Sequence, residues 1–169
     1  MKRRHAVGAT LAAPVLLAGC VSIGVGDEAP PVVQLALRDG DGAGAAAVPR
    51  AAPIVDALLI QAVPGDALVD TAGIAFSRRP YEYAYYQLSM WTDRPLRTLP
   101  RLLQRRLEAR RVAGAVGLAG DPLRAGWLLT LGVETLVHDV ATPPGVGRVA
   151  LDVQLFDRRH RARAGRCRW

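Results

Sequence analysis

Apolar residues recur along this chain with two different periods, and the change from one to the other marks out its elements. In "WLLTLGVETLVHD" (127–139), Trp127, Leu129, Leu131, Val133 and Val137 fall on odd positions, while Thr130, Glu134 and His138 take even ones. In "RVALDVQLFD" (148–157), Val149, Leu151, Val153 and Leu155 alternate with Asp152 and Gln154. A period of two is that of a strand with one face in a core and one in water. With the turn-rich "ATPPGVG" (141–147) between them, the two stretches predict an antiparallel pair. The final "RHRARAGRCRW" also alternates, and its phase changes at Gly165, which predicts a bulge in an edge strand.

The other period belongs to "TLPRLLQRRLEARR" (98–111), where Leu99, Leu102, Leu103 and Leu107 follow helical spacing and Arg101, Gln104, Arg105 and Glu108 form the wet face. Thr98 is the expected N-cap, with Pro100 tolerated in the first turn because its missing N–H needs no partner there. Pro100 argues against a start as early as Asp93. Arg110 and Arg111 suit the negative end of the helix dipole, and Gly114 and Gly117 are the expected stop.

Further upstream, "IVDALLIQAV" (54–63) is a continuous apolar run, readable as a buried strand or a short helix. "GIAFS" (73–77) and "YEYAYYQLSMW" (81–91) are strand candidates joined through Arg78-Arg79-Pro80 as a hairpin. Residues 32–37, "VVQLAL", predict a first strand, and the Gly/Ala/Pro-rich 38–53 a loop. The expected fold class is α+β: an antiparallel β-sheet with one or two helices packed on one face.

Composition changes this picture mainly at the N-terminus. A chain of 169 residues, half of them hydrophobic, has enough material for one domain with a real core. Lys2, Arg3 and Arg4 precede an apolar run over 6–17 and the small residues Ala18 and Gly19, the layout of a secretory signal. The run is shorter than the ~20 residues a membrane-crossing helix needs. Leu17-Ala18-Gly19-Cys20 resembles the lipobox of bacterial lipoproteins. That resemblance implies cleavage between Gly19 and Cys20, a diacylglycerol on the Cys20 thiol and a third acyl chain on its amino group. Val21 stands where inner-membrane-retained lipoproteins often carry Asp, which favours the periplasmic side of the outer membrane. Three acyl chains give durable anchoring where one gives only marginal binding. The expected organisation is a cleaved signal over 1–19, a tether over 20–31 and a domain over 32–169.

Charge and candidate chemistry then narrow the function. Removing Lys2, Arg3 and Arg4 leaves 19 of the 22 basic side chains against 15 acidic ones, a net +4 in place of +7. An exported, mildly basic protein is not expected to bind nucleic acid. With Cys20 acylated, Cys167 has no partner within the chain and is expected to be a small, partly buried thiol. Ser22, Ser77 and Ser89 lie in no Gly-x-Ser-x-Gly elbow, and His138 has no second ligand at metal-binding spacing, so it is expected on a wet strand face. No catalytic residue, no metal site and no cofactor beyond the lipid on Cys20 is expected. The six arginines from Arg158 to Arg168 fit a solvated edge strand, the alternative being contact with acidic headgroups or a partner's carboxylates. Tyr81, Tyr83, Tyr85, Tyr86 and Trp91, followed by Arg94, are either hairpin packing or the material of a protein interface.

The lipobox, the tether, the extended "GIAFSRRPYEYAYYQLSMW", the Pro95-Leu96 step into a leucine-patterned helix and the paired late strands together resemble the ABC-type transport auxiliary lipoproteins, companions of MCE-type lipid-transport systems. The likeness spans about residues 32–157. It implies a non-catalytic accessory subunit that helps move phospholipid between membranes, with an MCE-family protein and an ABC permease/ATPase complex as partners. Tyr83, Tyr86, Trp91, Arg94 and Pro95 are the candidate partner-binding residues, and a homo-oligomer stays open. The family continues into a last amphipathic helix, whereas this sequence stops at Trp169, so the expectation is either that the helix is absent or that this is a shortened variant. The alternative is a lipid carrier of the cell envelope that holds its ligand between helix and sheet.

Overall fold

The computed structural model describes residues 30–40 and 48–169. Gly19, Cys20, the signal over 1–19 and the tether up to residue 29 lie outside the described residues, while Pro30 and Pro31 are exposed and belong to no helix or strand. Eight strands form one sheet: β1 (Val33–Leu35), β2 (Val55–Val63), β3 (Gly73–Arg79), β4 (Glu82–Trp91), β5 (Ala113–Leu118), β6 (Trp127–Asp139), β7 (Val146–Asp157) and β8 (Ala162–Arg168). A helix, α1 (Pro95–Ala109), lies between β4 and β5 in sequence.

The α+β arrangement holds, but the sheet is mixed rather than antiparallel. β1–β4, β2–β5, β2–β6 and β3–β6 are parallel, while β3–β4, β6–β7 and β7–β8 are antiparallel. The reason lies in β2. A strand flanked by parallel neighbours is covered on both faces, so it carries a continuous apolar run instead of an alternating one. Its residues Ala57, Leu58, Leu59 and Ile60 are all buried. Leu58 and Ile60 pack with Val116 against Leu103 and Leu107 of α1. Ala57 and Leu59 pack with Ala125, Leu123 and Leu128.

β5 is the strand that pattern reading does not find. Gly114 and Gly117 read as helix stops, yet they belong to β5. A Cβ on Gly114 would come within 2.8 Å of the Asp56 carbonyl oxygen, so glycine there permits close strand approach. The helix stops earlier, through a different device. Arg111 adopts φ +52, its N–H donates to Glu108 O (2.9 Å), and the Val112 N–H donates to Leu107 O (3.1 Å). These two bonds satisfy carbonyls of the last turn, with arginine where glycine is usual.

The helix also starts earlier than its spacing suggests. Pro95 occupies the first helical position, and Arg94 before it is extended at φ −60, ψ 135, as a residue preceding proline prefers. Pro100 therefore sits inside the helix rather than in its first turn, and Thr98 is not its cap.

β6 organises everything else. Its first half pairs with β2 from Leu58↔Trp127 to Val63↔Gly132, and its end pairs with β3 at Phe76↔His138. Its other edge pairs with β7 along the full length, with a register shift between Val133 and Thr135. That bulge breaks the odd-position alternation. Leu136 joins Val133 in the cluster with Val69 and Leu96, together with Leu99 and Leu151. β8 pairs with β7 alone, and its register shift falls opposite Leu155 and Phe156, between Gly165 and Arg163. The expected edge strand with a bulge near Gly165 is what forms. Cys167 on it is exposed, not partly buried, because an edge strand's outer end has nothing to cover it.

Candidate functional site

The β3–β4 hairpin turns at Pro80 and Tyr81, the latter at φ +66 and almost fully exposed. Beyond the turn the pairing is irregular. It passes from Ala75↔Tyr85 to Gly73↔Met90, so β4 carries extra residues between Tyr85 and Met90. This irregularity brings Tyr86, Ser89 and Trp91 to the wall of one open apolar cavity of about 440 Å³. Leu35 of β1 and Ile74 of β3 contribute to the wall, with Leu136 of β6 and Val149 of β7 across from them.

Tyr86 is fixed from two sides. Its hydroxyl hydrogen-bonds with His138 Nδ1 at 2.8 Å, and its ring lies against Phe76 with centroids 4.7 Å apart. His138 is itself confined. Gly145, at φ +91, sits so close to His138 Nε2 that any Cβ there would collide with the imidazole. His138 is thus a cavity-wall residue bonded to Tyr86, not a wet-face residue. The β6 bulge is the physical reason, since it changes which face of the strand the residues after Val133 present.

The remaining candidates separate. Tyr83 is half exposed and lines a different, polar depression with Ser77, Arg79, Asp139 and Arg148. Arg94 is exposed and meets Asp70 at 3.7 Å, an ion pair of the surface kind that contributes little. Pro95 is fully buried, which corrects its assignment as a partner contact: it starts α1 and offers no surface. Only Tyr86 and Trp91 of the five are brought together. Trp91 pairs with Leu35, and its N–H donates to Ala72 O at 2.7 Å.

Across β6, β7 and β8 the polar groups pair with one another. Arg166 donates to Asp152 at 2.7 Å, and Arg168 meets Glu134 at 3.1 Å. The Arg166 hydrogen bond, then that of Gln154, holds the Asp152 carboxyl below its usual range. The Ala141 N–H, then Arg148, does the same for Asp139, and His160 does so for Asp157. These arginines behave as an edge strand's solvated face. Among the described residues no group of three His, Cys, Asp or Glu is placed to hold a metal ion.

Sequence reasoning missed His138, Leu136 and Val149 as cavity residues. The signal was present in the adjacent apolar pair Leu136-Val137, which breaks the alternation and marks the bulge.

No family model and no curated protein matches the chain. Among solved structures, the protein XCC0632 from Xanthomonas campestris, described under the family model DUF330, shares its fold with a TM-score of 0.62 at 20% identity. That match covers 72% of this chain and 69% of the other. An uncharacterized protein superimposes with a TM-score of 0.53 at 15% identity, covering 68% and 72%. At these identities the likeness is one of fold.

Proposed function

We propose that this chain is a non-catalytic, lipid-anchored accessory subunit of an envelope phospholipid-transport system, docking an MCE-type partner through the cavity lined by Tyr86 and Trp91. The observation that carries the reading is that cavity. Two aromatic side chains line an open apolar recess, and one of them, Tyr86, is held by His138 and Phe76. Rigid aromatics around a pocket are the usual anchors of a protein interface, because little side-chain entropy is lost on binding. The lipobox-like Cys20 supports the location: three acyl chains would hold the domain at the outer membrane with this face free to meet a partner.

Affinity capture from envelope extracts of the host tests the reading. Wild type is expected to recover an MCE-type protein, and Trp91→Ala and Tyr86→Ala to lose it while keeping the wild-type circular dichroism spectrum, with Tyr86→Ala melting somewhat lower because its bond to His138 and its packing on Phe76 are gone. Recovery of no transporter component by wild type would overturn the docking role. Mass analysis of the N-terminus tests the anchor separately: an unmodified Cys20 with the leader attached would remove it.

A further inference from the structure

At the end of the sheet where β6 begins, the segment 119–126 meets the turn between β7 and β8. Two hydrogen bonds tie them together. The Arg158 N–H donates to Gly126 O at 2.8 Å, and Arg158 Nη1 donates to Ala125 O at 3.2 Å. Arg159 lies so close that a Cβ on Gly126 would stand 3.1 Å from its Nε, so glycine there lets the guanidinium rest against the chain. These residues and Arg124 line an open depression of about 440 Å³, away from Tyr86 and Trp91.

The charge of the depression follows from what the neighbouring acids do. Segments 119–126 and 157–163 carry five arginines, Arg124, Arg158, Arg159, Arg161 and Arg163, against two carboxylates, Asp121 and Asp157. Asp121 Oδ2 accepts the Leu118 N–H at 2.7 Å. Asp157 Oδ1 accepts the N–H groups of Arg159 and His160 at 2.8 and 3.2 Å, and its Oδ2 bonds with His160 Nδ1 at 2.6 Å. Both acids are thus engaged in holding their own turns in shape. Ala125 is the largest uncharged side chain of the lining, so the wall suits neither an acyl chain nor a ring. What it suits is a compact anion, because a guanidinium presents its donors as a planar fork that matches acidic oxygens. A phosphomonoester brings about −1.5 to −2 charges and three acceptor oxygens at neutral pH, where a carboxylate brings one charge and two oxygens. Three arginines on two adjoining segments are matched by the former.

We infer that Arg124, Arg158 and Arg159 form a binding site for a phosphomonoester, either a soluble one or the headgroup of a lipid such as phosphatidate. This goes beyond the docking role and does not rest on it.

The test uses the full chain carrying Cys20→Ser, which has no acyl chain of its own to enter a vesicle. Glycerophosphate is titrated at about 0.15 M salt, where charges beyond roughly 8 Å are screened, and the amide resonances are followed. Gly126 and Arg159 should shift along a curve that saturates at one ligand per chain. Arg124→Gln and Arg159→Lys should each weaken binding about tenfold, with the other resonances in place because both side chains are exposed. The lysine variant keeps the charge and removes the fork, so it separates a built site from a diffuse positive field. Arg163→Gln, which removes a charge outside the depression, should change binding less than about twofold. Dimethyl phosphate, with a single charge, should bind about tenfold more weakly than glycerophosphate. Co-sedimentation with phosphatidylcholine vesicles containing phosphatidate distinguishes the two sources. Recruitment that Arg159→Lys abolishes puts the phosphate on a lipid, and glycerophosphate binding without recruitment makes the ligand a soluble phosphomonoester. The assignment is overturned by shifts that do not saturate or that fall away from Gly126 and Arg159, by full binding in Arg159→Lys, or by an Arg163→Gln loss as large as that of Arg124→Gln. Tighter binding of hexaglutamate than of glycerophosphate would also overturn it, giving these arginines to the carboxylates of a partner protein.

Discussion

β2 and β4 are strands of nearly equal length, nine and ten residues, and both are rich in apolar or aromatic side chains. Their fates differ completely. β2 has four consecutive buried residues, whereas β4 has none. Composition does not make the difference; the neighbours do. β2 lies between β5 and β6, with α1 on one face and residues 119–126 approaching the other. β4 has only β3 on one edge and the three-residue β1 on the other. Aromatic side chains on a strand so thinly covered remain available for contact, while aliphatic ones on a doubly covered strand are spent on folding.

The contrast breaks most visibly in stability. Ile60→Ala should cost about 3–4 kcal/mol in urea unfolding, because the site is 1% exposed and a cavity would remain among close-packed neighbours. Tyr83→Ala, on the half-exposed strand, should cost under about 1 kcal/mol. Comparable losses at the two positions would show that β4 is covered in solution as β2 is.

A smaller effect sharpens the comparison within the exposed half. Gly145→Ala adds a Cβ against His138 at a backbone angle that alanine resists, and should cost about 2 kcal/mol. The same substitution should separate Tyr86 from His138, read as a change in tyrosine absorbance or in the His138 ring resonances. An unchanged spectrum would mean that the Tyr86–His138 bond does not depend on the Gly145 turn.

The smallest effect concerns acid. A carboxyl whose folded pKa is depressed contributes stability above its unfolded value, near 3.9, and loses it as pH falls through the folded value. Asp152, held down by Arg166 and Gln154, follows that rule. Acid unfolding below about pH 4 should therefore be slightly shallower in Asp152→Asn than in wild type. An identical acid limb would show that the Asp152–Arg166 pair does not form in solution.

The late strands were legible because apolar and polar side chains alternate along β7 and β8, a period of two that marks a strand even where, as in β8, every residue is exposed. The β8 bulge was legible for the same reason, as a change of phase. Three features were not. The pairing direction of β2 leaves no mark on an unbroken apolar run. β5 hides behind Gly114, which permits close strand approach, and Gly117, which makes room for the side chains of Asp121 and Leu123; neither ends the helix. The start of α1 is set by Pro95, which is a first-turn residue only because Pro100 is tolerated deeper in the helix. At the site, Tyr86 and Trp91 were visible as aromatics, but their shared cavity depends on two irregularities, one in β4 and one in β6. Neither Pro95's burial nor the bond from Tyr86 to His138, 52 residues away, has a local signature.

Because β6 alone holds β2, β3 and β7 together, the chain resists dissection. A fragment that stops before Trp127 would leave the two earlier strand groups without a common neighbour, and a piece beginning there would carry two bare edges into solution. Neither half is a module that evolution or an engineer can trade separately, and any truncation library should tolerate cuts at the ends of the chain before it tolerates one in the middle.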